Sequence, residues 1–319
     1  MTAPPASRAV VGDEVAPQTA RKTVVISGAS GLVGGHLARA LAARGDRPQG
    51  YSRDPSRLSA PIEQGFSWDP QQGPPPPESF EAADAIVHLA GETVQGRWTA
   101  AKKQRIKDSR VVGTRNLVAG LKGAKRRPKV LICASAIGYY GDRGEQALTE
   151  QDSPGDDFLA EVCQAWEREA QAAEALGVRV VRLRLGLVLA REGGALKEML
   201  LPAKLGAGGP LGGGKQWWSW IHHRDLSRLI LWALDQDEVS GPLNATAPNP
   251  VRQREFADQL GALLGRPSFL PAPRFALELT LGEFSTELLS SKRVLPAAAR
   301  AAGFRFEFPD LRAALRDLL

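Results

Sequence analysis

Lys22-Thr-Val-Val-Ile-Ser-Gly28-Ala-Ser-Gly31-Leu-Val-Gly34 sets the fold of this chain. Its first half is a short β-branched run, the pattern of a buried strand. Its second half places three glycines at G-x-x-G-x-x-G spacing and leads into a helix with Val33, Leu37, Ala40 and Leu41 on one face, closed by Gly45. Strand, glycine turn and helix in that order make a phosphate cradle. Gly28 permits the tight turn, Gly31 lets backbone N–H groups approach a pyrophosphate, and Gly34 lets helix and strand pack closely. Ser30, Leu32 and Val33 complete the turn expected to hold a dinucleotide. The spacing departs from the G-x-G-x-x-G of the dehydrogenase fingerprint, so the context at the head of a βαβ unit gives the motif its weight.

Outward from this turn, a second strand is expected at Pro48 to Ser52, then apolar strands at Ala85 to Leu89, Val130 to Ala134 and Val178 to Leu185. Helical patterns near Ala100 to Leu121 and Phe158 to Leu176 separate the last three. Strands alternating with helices predict an α/β fold, a Rossmann-type doubly wound parallel sheet covered on both faces. The alternation breaks from Glu192 onward. Gly206 to Gly214 is glycine-rich and reads as a long irregular loop. A short strand near Pro242 to Ala245 is expected to rejoin the sheet, and residues 250–319 read as mostly helical. The expected organisation is a disordered tail over 1–21, a nucleotide-binding domain over 22–190 with a returning strand near 242–246, and a smaller lobe over 191–319.

The 319 residues carry 41 Lys and Arg against 35 Asp and Glu, a net charge of +6, with the two signs mixed through most of the chain. Small excesses at Lys102 to Arg110 and Lys122 to Lys129 read as solvated faces around one helix, so nucleic acid is not an expected partner. An anionic small molecule suits the balance better. Cys133 and Cys163 neighbour no histidine at zinc spacing, and His36, His88, His222 and His223 form no helical metal pair, so no metal site is expected. No apolar run approaches the ~20 residues of a membrane span. The first twenty residues lack the apolar stretch of a signal peptide, and a cytoplasmic, reduced protein is expected. Nothing in the sequence sets an oligomeric state.

The end of the second strand selects the cofactor. NAD binders place an acidic group there for the ribose 2′-OH. Here the strand ends Tyr51-Ser52-Arg53, a hydroxyl and a guanidinium suited to a 2′-phosphate. NADP(H) is therefore the expected cofactor.

These residues are joined by Leu89-Ala-Gly-Glu92, Arg97-Trp-Thr99, Ser109-Arg110, Ser135-Ala-Ile-Gly-Tyr-Tyr-Gly141, Asp157-Phe-Leu-Ala160, Trp166-Glu167, Arg184-Leu-Gly186 and Ser219-Trp-Ile-His222. Together they resemble the extended short-chain dehydrogenase/reductase superfamily, and more closely its atypical epimerase/dehydratase-like branch with a C-terminal domain of its own. The resemblance spans roughly Lys22 to the C-terminus. It implies cofactor contacts at Leu89, Ala90 and Gly91, and a Ser, Tyr and Lys near the nicotinamide. Ser135 matches the Ser. Leu159 stands where the Tyr belongs, Cys163 where the Lys belongs, and Arg110 where an Asn is often found. A plant relative is linked to organelle division, and the label "cell division inhibitor" circulates for the group.

A leucine transfers no proton. An ordinary thiol of pKa ~8.5 is a few per cent thiolate at pH 7, so Cys163 becomes an acid/base or nucleophile only if Arg110 or oxidised nicotinamide lowers that pKa. The alternative is packing, since Leu159, Val162, Cys163, Trp166 and Ala170 share one helical face. Tyr139 and Tyr140 are further candidate phenols. Arg97, Trp98, Trp217, Trp220 and His222 are candidate substrate contacts, with His222 read first as a structural hydrogen bonder and Arg97 and Trp98 equally as a solvated cation and a core residue. Two functions follow. One is an NADP(H)-dependent oxidoreductase or epimerase acting on a small molecule. The other is a catalytically silent NADP(H)-binding regulator, a redox sensor linked to division.

Overall fold

The computed structural model describes residues 21–319. Of the tail expected over residues 1–21, only Arg21 falls within them. The first half runs β1 (Thr23–Ser27), α1 (Leu32–Arg44), β2 (Arg47–Ser52), β3 (Gln64–Ser67), α2 (Glu78–Glu81), β4 (Ala85–His88), α3 (Ala100–Gly123) and β5 (Val130–Ala136). After these come β6 (Ala147–Leu148), α4 (Phe158–Gln171) and β7 (Arg179–Leu185). The second half begins with β8 (Leu187–Leu189), α5 (Gly194–Lys204), β9 (Trp217–Trp218), β10 (Trp220–His222), α6 (His223–Asp235) and β11 (Gly241–Ala245). It ends with β12 (Val251–Arg252), α7 (Gln253–Leu264), α8 (Arg274–Leu281), α9 (Phe284–Leu289), β13 (Arg293–Val294), α10 (Ala297–Ala301) and α11 (Leu311–Leu318).

Seven strands form one sheet in the order β11-β7-β5-β4-β1-β2-β3, and every pairing in it is parallel. Chain direction across the sheet reverses between β1 and β4, the switch point at which such sheets bind ligands. Helices α1 and α6 cover one face through Leu37, Leu41, Leu226, Leu229 and Ile230. Helices α3 and α4 cover the other through Leu117, Leu121, Trp166 and Ala170. With both faces covered, β1 is buried at every residue, which is why its sequence runs apolar instead of alternating. A separate core of Leu196, Trp220, Phe256, Leu260, Leu311 and Leu315 holds the C-terminal elements together.

Thr99 caps α3 by accepting from Lys102 N, and Asp157 caps α4 by accepting from Ala160 N at 2.9 Å. Two differences from the sequence reading have local causes. Strand β3 is unforeseen because Gln64-Gly-Phe-Ser67 buries only Phe66 at the sheet edge. Helix α4 stops at Gln171, and a tighter turn over Glu174–Leu176 leads to Gly177 at φ +78°, where the backbone enters β7. Helix α6 returns to the sheet together with β11, so residues beyond 191 contribute to the first core as well as to the lobe. No helix among the described residues is long and apolar enough to cross a membrane. No group of three or more His, Cys, Asp or Glu among them is placed to hold a metal ion.

Candidate functional site

The glycine turn is closed to the limit of backbone packing. Gly28 sits at φ +71°, and a Cβ there would lie 3.1 Å from Ala90 N, against the end of β4. A Cβ on Gly34 would lie 2.2 Å from Gly28 O. Gly31 is the N-cap of α1, and no side chain caps that helix or places an acid in its first turn. The N–H groups at Leu32 and Val33 therefore face the turn as an anion cradle. Beneath it, Ser27 Oγ accepts from Leu89 N (3.0 Å) and Ala90 N (3.1 Å) and lies 2.6 Å from His88 Nδ1. Its proton thus points to Nδ1, which leaves the His88 proton on Nε2, facing Thr114 Oγ1 at 3.1 Å. Burial lowers the His88 pKa to about 4, so the ring is neutral and structural. Of the expected positions, Leu89 and Ala90 are thereby pinned beside Gly28, and Gly91 follows against Arg110.

At the end of β2, Arg53 is exposed and makes no ion pair among the described residues. It lines a cleft of about 450 Å³ with Ser67, Trp68, Asp69 and Gln72. Ser52 plays a different part from the one expected. Its hydroxyl donates to Asp54 O (2.8 Å) and accepts from Asp54 N, which fixes the turn that presents Arg53. Asp54 is itself occupied by Ser56 and Arg57. The cleft along the glycine turn, about 520 Å³, adds Arg39 and Arg57 from the other side. Arg57, Trp68 and Asp69 escaped the sequence reading because they lie off the strand–turn–helix motif, and Arg39 because it stands on the exposed face of the motif's helix.

Ser135, at the end of β5, is buried, and its hydroxyl donates to Glu167 Oε1 at 2.7 Å. Glu167 accepts a bidentate pair from Arg184, Nε to Oε1 at 2.8 Å and Nη2 to Oε2 at 3.0 Å. Arg184 Nη1 donates to Tyr140 Oη (2.9 Å), and Tyr140 Oη donates to Asn244 Oδ1 (2.7 Å). The Arg184 guanidinium also lies over the Tyr139 ring at 3.5 Å. Burial opposes the Arg184 charge, but the Glu167 carboxylate more than offsets it and holds the pKa above the usual arginine value. Burial pushes the Tyr140 phenol up to about 12. Tyr140 is therefore a strut of a buried network, where the sequence offered it as a phenol for proton transfer, and Tyr139 is the face on which Arg184 stacks. Glu167 and Arg184 were legible only as motif letters, although a carboxylate on the apolar stripe of α4 requires a buried partner.

Cys163 is buried against this network. Burial pushes its thiol pKa up to about 12, with Glu167 adding to the rise against Arg110, the Ala136 backbone and Ser135. Arg110 pulls the thiol in the activating direction, but desolvation outweighs it, so Arg110 alone does not meet the condition for a reactive Cys163 and the packing alternative is favoured. Arg110 itself is wedged against Gly91, where a Cβ would lie 3.3 Å from its Cζ, and above Trp166 at 5.2 Å. Its Nη1 donates to Glu92 O (2.9 Å) and Ile106 O (3.2 Å). Leu159, in the Tyr position, packs with Val94, Trp98, Phe158, Leu281 and Phe284 as an apolar wall.

The remaining substrate candidates separate. Trp98 joins the wall around Leu159, 5.4 Å from Phe158 and 5.8 Å from Phe284 between ring centres. Arg97 is exposed and donates to Leu279 O at 3.2 Å, which ties it to α8. Trp217 is half-buried between Arg252 (4.1 Å) and Arg293 (4.7 Å), with Nε1 donating to Glu145. Trp220 and His222 are fully buried away from this wall. Trp220 fills the C-terminal core, and His222 Nδ1 caps α6 by accepting from Arg224 N while its ring stacks on Phe308 at 4.0 Å. Neither lines the site, because the strand that carries them turns them into the lobe.

Known proteins resemble this chain along most of its length. Residues 24–245 match the NAD dependent epimerase/dehydratase family, and residues 272–318 match a domain of unknown function, DUF1731. The epimerase family protein YfhF of Bacillus subtilis is 38% identical over 297 residues, 93% of this chain and 97% of that one. The chloroplastic epimerase family protein SDR39U1 homolog of Arabidopsis thaliana is 40% identical over 305 residues, 93% of this chain and 86% of its own length. The crystal structure of the human epimerase family protein SDR39U1 with NADPH superposes with a TM-score of 0.82 at 32% identity, covering 93% of this chain and 98% of that one. The chain belongs to the NAD dependent epimerase/dehydratase family.

Proposed function

We propose that this chain is an NADP(H)-dependent oxidoreductase acting on a small molecule. The observation that carries the cofactor assignment is the glycine turn, in which a Cβ on Gly34 would lie 2.2 Å from Gly28 O beside an uncapped helix N-terminus. Such a turn fits a pyrophosphate held by bare backbone. Gly28, Gly31 and the N–H groups of Leu32 and Val33 would hold it, and Arg53 would meet the 2′-phosphate, with Arg39 and Arg57 close by. The human relative crystallised with NADPH supports the same choice. When bound, the nicotinamide supplies a hydride donor or acceptor. The protein's part at the carboxyl edge of β4 and β5 is a fixed cation, Arg110, and an apolar wall around Leu159.

Oxidoreduction is favoured over epimerisation by the state of the polar groups. A nicotinamide-dependent epimerase at a carbinol carbon must remove the hydroxyl proton as hydride leaves and then return it, whereas a reduction that forms a stabilised anion can take its proton from solvent. Here the Ser135 and Tyr140 hydroxyls are engaged and the Cys163 thiol is buried. The same engagement of Ser135 favours a second reading, a silent NADP(H)-binding regulator. One experiment separates the two. NADPH deuterated at C4, each face in turn, is incubated with the chain and a filtered metabolite extract, and products are searched by mass spectrometry. Protein-dependent deuterium in a metabolite is expected for the oxidoreductase. Its absence, with NADPH binding confirmed, selects the regulator.

A further inference from the structure

The Arg110 guanidinium has one nitrogen committed and two uncommitted. Nη1 donates to the carbonyl oxygens of Glu92 and Ile106, while Nε and Nη2 meet no acceptor among the described residues. The Glu92 carboxylate is taken by Lys102 at 2.7 Å. A guanidinium set into the fold against Gly91 and the Trp166 ring is charged at any working pH and gives up no proton. The Tyr position is held by Leu159, which packs with Trp98, Phe158 and Phe284 and offers no hydrogen-bonding group there. Ser135 is turned away into Glu167. Arg110 therefore offers free donors to negative charge, and the Tyr position supplies no proton.

Resting on the oxidoreductase reading, we infer that Arg110 is an oxyanion-binding group, and that the substrates are apolar conjugated carbonyl compounds, enones or quinones. Reducing an isolated ketone places charge on an alkoxide, whose acid ionises near ~16 as water does. That oxygen needs a proton as it forms. Hydride addition to the β-carbon of a conjugated carbonyl forms a C–H bond there, shifts the π electrons onto the carbonyl oxygen and oxidises NADPH to NADP⁺. The resulting anion is enolate- or phenolate-like, and phenols ionise near ~10. A fixed cation holds such an anion until a solvent proton completes the product. A leucine in place of the proton donor fits this chemistry, and the aromatic wall fits a planar ring.

The first test has a readout independent of turnover. 4-Nitrophenol is titrated with the full chain, with and without NADP⁺, and its ionisation is followed by absorbance. The expected result is binding as the phenolate, with the bound pKa lowered by about one unit or more, a tenfold preference for the anion. Arg110→Gln is expected to lose that preference, and Arg110→Lys to keep part of it. Binding as the neutral phenol, or no binding, overturns the oxyanion assignment. If Arg110→Gln misfolds, the wild-type titration still decides.

The second test gives the chain C4-deuterated NADPH with 2-cyclohexenone or cyclohexanone. Deuterium at C3 of the product from cyclohexenone, with none in cyclohexanol, is expected. By analogy with removing an oxyanion-hole donor, Arg110→Gln should slow this transfer about 100-fold or more. Label in cyclohexanol at a similar rate overturns the substrate class and leaves the oxidoreductase reading standing. No label from either compound or from a metabolite extract, in a chain that binds NADPH, overturns that reading and the substrate class with it.

Discussion

Ser135 Oγ lies 2.7 Å from Glu167 Oε1, and Glu167 is in turn clasped by both donors of Arg184. A hydroxyl at the end of β5 that stands ready for substrate in the wider superfamily is here the outer member of a buried ion pair. Glu167 and Arg184 are both almost completely excluded from solvent. Arg184→Met should leave Glu167 charged and buried with only the Ser135 hydroxyl and the more distant Arg182 (3.8 Å) beside it, at a cost of about 3–5 kcal/mol. The double variant Glu167→Gln/Arg184→Met should recover much of that loss. Urea unfolding of the three proteins checks the order, and equal losses in single and double variants would refute a coupled pair.

Arg53 is the cation placed to choose between cofactors. Arg53→Ala should weaken NADPH binding about tenfold or more, the size of one charge-assisted hydrogen bond, and leave NADH binding unchanged. Fluorescence titration with each cofactor measures both. An equal loss for NADPH and NADH would place the 2′-phosphate elsewhere, with Arg39 and Arg57 the next residues to vary.

Gly34→Ala puts a methyl 2.2 Å from the Gly28 carbonyl oxygen, a contact that only backbone movement relieves. Overpacking of this kind costs about 1–3 kcal/mol, and the movement required opens the cradle. The variant should fold with a lowered denaturant midpoint and lose NADPH affinity more than stability. Native affinity in this variant would mean that the phosphates are held away from the turn.

Stability should fall on mild acidification. His88 titrates near 4 in the fold because burial penalises its charged form, against 6.5 when exposed. Between those values the unfolded chain binds a proton that the folded chain does not. Its contribution is therefore whole above pH 6.5 and is lost as pH falls toward 4, about 3 kcal/mol in all. His222 and His223 are lowered to about 4 by burial and by neighbouring histidines, and act in the same direction. Unfolding midpoints at pH 7.5 and pH 5, for wild type and His88→Gln, should show a smaller pH dependence in the variant.

The Cys163 thiol, pushed up to about 12 by burial, should resist iodoacetamide at pH 8 in the folded chain and react once the chain is unfolded. Cys163→Ala should keep NADPH affinity and lose stability by the small amount a buried sulfur contributes. Rapid native alkylation, followed by mass spectrometry, would restore the thiol as a reactive group.

The sequence by itself determined six of the sheet's seven strands and the cradle. Strand, glycine turn and helix are set by φ/ψ limits and by apolar period, both of which act over a few residues, so Thr23 to Arg44 folds as its letters read. The place of Arg53 at a strand end, and of Cys163 on the apolar stripe of α4, were legible for the same reason. The fate of the site's polar groups was not. Ser135 finds its acceptor 32 residues away, and Tyr140 finds Asn244 at a separation of 104. Whether a hydroxyl is free or engaged depends on which remote groups burial brings within 3 Å, since a buried donor or charge must be satisfied by whatever the fold supplies. Local pattern placed these residues at the sheet's edge; only tertiary packing turned Ser135 and Tyr140 inward and left Arg110 with its free nitrogens.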